Sequence, residues 1–295
     1  MDLRHLRYFL AVAEEGHFGR AAERLHIVQP ALSMQIKALE EELGGPLLVR
    51  TSRKVELTDA GRLLLDEARR TLAQVEHARQ TVQRSIRGEI GRVRVGFAGN
   101  AVFSGTLTRD LRAFRHAYPD AELVVREIPP LLQADALLTG QLDIAYTPDH
   151  DKIHHPELVA QRIGIWRRQV AMAADHPLAA QTSLTVAMLD EEPLIFYDAH
   201  GADEALYTTL SAMLGHAPRI VHETASTLSV LALAAAGQGL ALIPEPLMNV
   251  SIPGLVYRPL DVPALSANLM LVSREKENNG AIRAFLTLAQ RQGNG

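Results

Sequence analysis

Phe18-Gly19-Arg20-Ala21-Ala22-Glu23-Arg24-Leu25, His26-Ile27-Val28 and Gln29-Pro30-Ala31-Leu32-Ser33-Met34-Gln35-Ile36-Lys37-Ala38-Leu39-Glu40-Glu41-Glu42-Leu43 run on without a break. Phe18, Ala21, Ala22 and Leu25 recur at i, i+3, i+4 and i+7, one face of a helix. Leu32, Ile36, Leu39 and Leu43 fall at i, i+4, i+7 and i+11 in the second segment, again one face. Pro30 suits a first helical turn, where its missing N–H is not needed. The small alanines let two helices approach closely. Gln29, Ser33 and Lys37 occupy the opposite face of the second segment. The pattern is a helix-turn-helix whose second helix is shaped to enter a DNA major groove.

Downstream of Gly44-Gly45, Leu47-Leu48-Val49-Arg50 and Val55-Glu56-Leu57 flank the basic turn Thr51-Ser52-Arg53-Lys54. This reads as a two-stranded wing, with Arg50, Arg53 and Lys54 placed for phosphates or a minor groove. A three-helix bundle that binds protein would share the periodicity. The coincidence of periodicity, polar face and basic turn favours DNA. Upstream, Leu3 to Glu15 reads as a further helix, with Leu3, Leu6, Leu10 and Ala13 inward and Gly16 as its stop.

Thr58 is a good N-cap for a long helix from Asp59 to about Arg87, spanning about 43 Å at ~1.5 Å per residue. Leu65, Ala68, Leu72, Val75, Val82 and Ile86 form a heptad seam that Arg79 interrupts. A lone helix with one apolar stripe is expected to bind a partner helix, the alternative being packing against the chain's own second domain.

The chain has 295 residues, 47% hydrophobic and 22% charged, with no cysteine and a net charge of -4. That is an ordinary globular composition with room for two domains and none for disulfides or thiolate metal sites. Residues 1–90 hold 14 Lys and Arg against 13 Asp and Glu, leaving 16 against 21 in the remainder. DNA contact is therefore expected at the front alone. The start lacks a leader pattern and no apolar run reaches membrane-spanning length, which points to the cytoplasm.

The segment from Leu6 to Thr58 resembles the DNA-binding domain of LysR-type transcriptional regulators. Leu6-Arg7-Tyr8-Phe9, Ala21-Ala22-Glu23-Arg24-Leu25-His26, Gln29-Pro30-Ala31-Leu32-Ser33, Gln35-Ile36 and Leu57-Thr58-Asp59-Ala60-Gly61 carry the likeness in order and spacing. Two positions depart from the pattern. Val28 stands where the family commonly has a capping Ser, and Met34 where many members have Arg. The resemblance implies that Gln29, Pro30, Ser33 and Met34 face base edges. Gln35, Lys37, Arg50, Arg53 and Lys54 would serve phosphate or the minor groove. It also makes the long helix a dimer-forming linker.

After Gly88-Glu89-Ile90-Gly91, strand-length apolar runs alternate with helical stretches, the signature of doubly wound α/β sheets. Strands are predicted at 93–98, 122–128, 142–147, 168–173, 194–197, 219–223, 240–244 and 268–273. Helices are predicted at 104–116, 131–138, 203–214, 227–236 and 281–291. Gly140-Gln141-Leu142-Asp143-Ile144-Ala145 and the run from Ala234 to Pro244 resemble the family's effector domain, itself similar to periplasmic solute-binding proteins. The expected organisation is a winged helix-turn-helix over 1–58 and a linker helix over 59–88. Two α/β subdomains follow in 89–295: the first from 92–162 plus 266–295, the second from 163–265.

A cleft in such a fold lies at the carboxyl ends of strands. Asn100 and Ala101, Pro129 and Pro130, and Tyr197, Asp198 and His200 follow such strands, and Thr147 and Thr224 stand at strand ends. These are the candidate effector contacts. The resemblance implies hydroxyls holding a ligand carboxylate where Asn100 and Pro130 stand here. Proline has no N–H to give an anion. A small polar or aromatic effector, less anionic than is usual for the aromatic-catabolism branch, is expected. Asp149-His150-Asp151 and His154-His155 contain metal-ligand types but read as a solvated loop. No nucleophile elbow, HExxH, P-loop or GxGxxG is present, so no catalytic residue, metal or cofactor is assigned. The expected partners are duplex DNA, a small molecule and further copies of the chain as dimer and tetramer, with RNA polymerase as a further candidate. The competing reading is a solute-binding or substrate-processing α/β protein whose front helices only mediate assembly.

Overall fold

The computed structural model describes residues 1–50, 54–197 and 204–293, with backbone alone at Arg50, Asn100 and Gln292. It divides into two units, Met1–Arg84 and Ser85–Gly295.

The first unit holds helices α1 (Leu3–Glu15), α2 (Phe18–Arg24) and α3 (Gln29–Leu43). A hairpin of β1 (Leu48–Arg50) and β2 (Val55–Leu57) follows, then most of α4 (Asp59–Ile86). Each boundary has a local cause. Asp2 caps α1, accepting from the Arg4 and His5 backbone N–H groups at 2.8 and 2.9 Å. Gly16, at φ 58°, ends it. His17 Nδ1 accepts from Gly19 N at 3.0 Å and so caps α2. Val28 gives α3 no side-chain cap, and Pro30 sits in its first turn. Gly44, at φ 78°, closes α3, because a left-handed residue without a Cβ is cheapest there.

Leu32, Ile36 and Leu39 of α3 are fully buried against Phe9, Val12, Phe18, Ala21 and Ala22. Burial stabilises by roughly 1.5–3 kcal/mol for each large apolar side chain. The inward face of α1 differs from the expected one. Leu6, Phe9 and Val12 are buried, whereas Leu3 is exposed and Leu10 and Ala13 are half-buried. The stripe turns so that the Phe9 ring, the largest apolar group on the helix, fills the centre. Leu43, expected on the buried face of α3, is exposed at the helix end.

The second unit contains two five-stranded sheets. The first is built from β3 (Gly91–Phe97), β4 (Ala121–Glu127), β5 (Ile144–Pro148), β6 (Leu158–Trp166) and β12 (Ala267–Arg274), in the order β4-β3-β5-β12-β6. The second contains β7 (Arg168–Ala173), β8 (Leu194–Tyr197), β9 (Ile220–Thr224), β10 (Leu240–Pro244) and β11 (Leu255–Leu260), in the order β11-β7-β10-β8-β9. Helices α5 (Thr106–Ala117), α6 (Pro130–Leu138) and α9 (Gly280–Gly293) accompany the first sheet; α7 (Glu204–Leu214) and α8 (Thr227–Ala235) accompany the second.

Both sheets are mixed. β3 pairs in parallel with β4 and β5, but β12 is antiparallel to β5 and β6. β10 pairs in parallel with β8, while β7 is antiparallel to β10 and β11. Strands β6 and β11 were not expected from the sequence. They carry the chain out of and back towards the first sheet, so the crossings fall at Arg167 and at 261–266. The first crossing lies beyond the expected boundary at 162/163, because β6 stays in the first sheet through Trp166.

Candidate functional site

On α3 the buried and open faces are sharply divided. Gln29, Pro30, Met34 and Lys37 are exposed, Ser33 and Gln35 are half-buried, and the apolar row behind them is fully buried. An exposed methionine between two polar turns has no packing role in the unit, so this face is free for an outside surface. Lys37 pairs with Glu41 at 3.4 Å one turn on, and Lys54 pairs with Glu56 on the hairpin. Such exposed pairs are weak enough to be exchanged for phosphate. The Arg50 side chain and Arg53 lie outside the described residues.

Behind this face, Glu14 ties three helices together. It accepts from Arg24 Nη1 at 2.9 Å and from Arg69 Nη2 at 3.3 Å, joining α1 to α2 and α4. The Arg24 hydrogen bond is the main reason that the Glu14 carboxyl is held below its ordinary pKa.

Within the second unit a cavity of about 390 Å³ opens between the two sheets, a size suited to a small organic ligand. Its walls come from the end of β5 and the turn after it (Pro148, His150), from the second crossing and the strand ends flanking both crossings (Leu265, Trp166, Arg168, Asn268), and from the second sheet and its helices (Ile195, Tyr197, Thr209, Thr227, Leu242). Gly164 positions Trp166: a Cβ there would stand 2.6 Å from the indole Cζ2, so only glycine lets the ring lie across the strand. Arg168 is committed locally, donating from Nε to the Leu265 carbonyl at 3.0 Å. Asp149 and His154, both at the cavity, face each other at 2.8 Å.

His150 departs from the expected solvated loop. Its ring is half-buried, with Nε2 3.5 Å from Thr147 Oγ1. Burial lowers its pKa, against opposing pulls from the Pro130 backbone and Asp149, so near neutral pH the imidazole is uncharged. Asn268 Oδ1 is buried in the cavity wall with no hydrogen-bond partner among the described residues.

The expected effector residues do not all meet here. Tyr197 lines the cavity. Thr147 is fully buried behind His150. Pro130 is buried as the first residue of α6, and Pro129 precedes it, half-buried. Neither proline is on the cavity wall. Ala101 is packed in the core of the first sheet, because the segment Gly99–Ser104 winds into a 3-10 helix rather than an open loop. Thr224 Oγ1 accepts from Ser226 N at 3.4 Å inside the β9–α8 turn. Asp198, His200 and the Asn100 side chain lie outside the described residues. The sequence reading missed Trp166, Arg168, His150 and Asn268. A pattern search on carboxyl ends of parallel strands passes over them, because Trp166, Arg168 and Asn268 sit at the strand ends flanking the crossings.

No helix among the described residues is long and apolar enough to cross a membrane. The family model for the bacterial regulatory helix-turn-helix protein of the lysR family matches residues 3–62, and that for the LysR substrate binding domain matches residues 87–294. The chain is 35% identical to the uncharacterized HTH-type transcriptional regulator YnfL of Escherichia coli (strain K12), covering 97% of this chain and 96% of that one. It is 36% identical to the HTH-type transcriptional regulator AlsR of Bacillus subtilis (strain 168), covering 99% and 96%. Among solved structures it is similar to full-length CbnR complexed with its target DNA, with a TM-score of 0.78, 27% identity, and coverage of 99% and 100%. One matched model falls in each unit, and the chain belongs to the LysR family of helix-turn-helix transcriptional regulators.

Proposed function

We propose that this regulator grips a pseudo-palindromic promoter site through the open face of α3 and the hairpin after it. A small molecule between the two sheets adjusts that grip. Gln29, Pro30, Ser33 and Met34 address base edges; Gln35, Lys37, Arg50, Arg53 and Lys54 address phosphate or the minor groove. The observation that carries this reading is the division of α3 into a fully buried apolar row and an open face of Gln29, Pro30, Ser33, Met34 and Lys37. The likeness to CbnR, solved on its target DNA, supports it.

In this reading residues 1–58 bind DNA, 59–88 pair two copies, and 89–295 sense the effector. Two dimers associate into a tetramer in the cytoplasm and act on RNA polymerase at the promoter. Effector binding changes the angle between the two sheets. It shifts the population of arrangements only in so far as it prefers one of them.

Two substitutions test the assignment on matched specific and random duplexes. Ser33→Ala is expected to lower sequence preference. Arg53→Ala is expected to weaken both duplexes and to reduce the salt slope by about 1. Equal loss on both duplexes for Ser33→Ala contradicts the base-reading role.

A further inference from the structure

The charge around the cavity is arranged against a carboxylate. Asp149, which faces His154 Nε2 at 2.8 Å, and Asp151 stand on its wall. Glu127 adds a third acid beside the first sheet's leading turn: a Cβ on Gly99 would meet Glu127 Oε1 at 2.6 Å and Thr227 Oγ1, of the cavity wall, at 3.5 Å. The lone arginine on the wall, among the described residues, is Arg168, whose Nε already serves the Leu265 carbonyl. The helix ends at the cavity are answered from within the chain. Ser226 Oγ accepts from Ser229 N at 3.4 Å at the start of α8, and Glu204 stands in the first turn of α7.

Asn268 supplies the opposite signal. It opens the return strand β12, opposite Ile165 of β6 and one residue before Leu269, which pairs with Pro148. That register brings it to the same edge of the sheet as His150. Its Oδ1 is buried without a donor among the described residues. A buried acceptor left unpaired is costly, and a ligand that supplies an N–H or O–H recovers that cost. Trp166 and Tyr197 add two aromatic surfaces to the same cavity.

We infer that the cleft takes an uncharged ring compound bearing an N–H or O–H group, which it donates to Asn268 Oδ1, and that it rejects the matching carboxylate. This rests on the reading of the cleft as the effector site, and the test separates the two.

Benzamide and benzoate share ring and size but differ in charge and in donor. Each is titrated into the full-length protein by calorimetry, up to its solubility, with Asn268→Leu and Thr209→Trp beside the parent. Thr209 is half-buried on the cavity wall, so tryptophan there fills space without entering the core. Benzamide is expected to bind at least about tenfold more tightly than benzoate, and Asn268→Leu to weaken benzamide by about tenfold while leaving benzoate unchanged, the scale of one buried hydrogen bond. Thr209→Trp is expected to abolish benzamide binding. Benzoate binding as tightly as benzamide, or indifference of benzamide to Asn268→Leu, overturns the inferred ligand class while the cleft stands. Benzamide binding that survives Thr209→Trp places the probe elsewhere and overturns the cleft as the site. Absence of binding by either probe overturns the inference as well.

Discussion

Gly61→Ala sets two physical effects against each other. Gly61 lies in the first turns of α4, buried against the residues that lead into the hairpin. Alanine in place of glycine inside a helix is ordinarily favourable by about 1 kcal/mol. Here a Cβ would stand 2.1 Å from the Leu47 carbonyl oxygen and 3.1 Å from Leu57 Cδ2. A carbon–oxygen contact needs about 3.3 Å, so backbone must move by roughly 1 Å. That carbonyl also accepts from Thr58 N at 3.0 Å, and Thr58 Oγ1 both donates to the Pro46 carbonyl and accepts from Gly61 N, each at 2.9 Å. Glu40 holds the same strand from the other side, accepting from Leu47 N and Leu48 N at 2.8 and 3.1 Å. The Leu47 backbone beside the new methyl is therefore pinned. Overpacking of about 1–3 kcal/mol is expected to outweigh the propensity gain. For a unit of this size each kcal/mol lowers Tm by about 4–8 °C. Differential scanning calorimetry of the full chain reads the transition of the first unit. Gly45→Ala, which meets nothing within 4 Å, is the neutral control. A Gly61→Ala protein more stable than the parent refutes the packing of α4 against the hairpin.

Asp143, its side chain 1% exposed, accepts from Arg94 N and Nε, both at 2.9 Å, from Arg94 Nη2 at 2.7 Å and from Arg274 Nη2 at 2.8 Å. Asp143→Ala leaves two partly buried guanidinium groups without it and is expected to destabilise by about 3–5 kcal/mol in urea unfolding. Burial pushes the Asp143 carboxyl up, but the hydrogen bonds from Arg94 and Arg274 outweigh it and hold the pKa below the ordinary range. Its contribution is complete above the unfolded value of about 3.9 and is lost as pH falls through the lower folded value. Asp143→Asn is expected to flatten the acid limb of stability against pH, and an unchanged limb contradicts the sign. Val82 is exposed on α4, so Val82→Glu should leave thermal unfolding at high dilution unchanged while shifting sedimentation towards smaller species; unaltered sedimentation removes this residue from the pairing seam.

The elements with local signals were legible. The row Leu32, Ile36 and Leu39, the stop at Gly16, and strands such as Leu194–Tyr197 follow from periodicity and cap chemistry within a few neighbouring residues. The crossing strands were not. Leu158–Trp166 mixes Gln161, Arg162 and Gly164 into a sheet edge that is half solvent-facing, so neither alternation nor an apolar run marks it. The cavity suffers for the same reason. His150, Trp166 and Asn268 are far apart in the chain and meet only because β12 returns antiparallel between β5 and β6. No spacing rule connects them before that register is known. Ala101 shows the reverse: expected in an open loop, it lies in a 3-10 turn that packs its side chain into the core.

Fluorescence anisotropy of the full-length protein on duplex from upstream of its own gene, against a scrambled duplex over a salt series, tests the central claim most directly. Tighter binding to the upstream duplex is expected, with log affinity falling linearly against log salt as phosphate contacts release counterions. Failure to bind either duplex at low salt, or identical affinity for both throughout, contradicts the account.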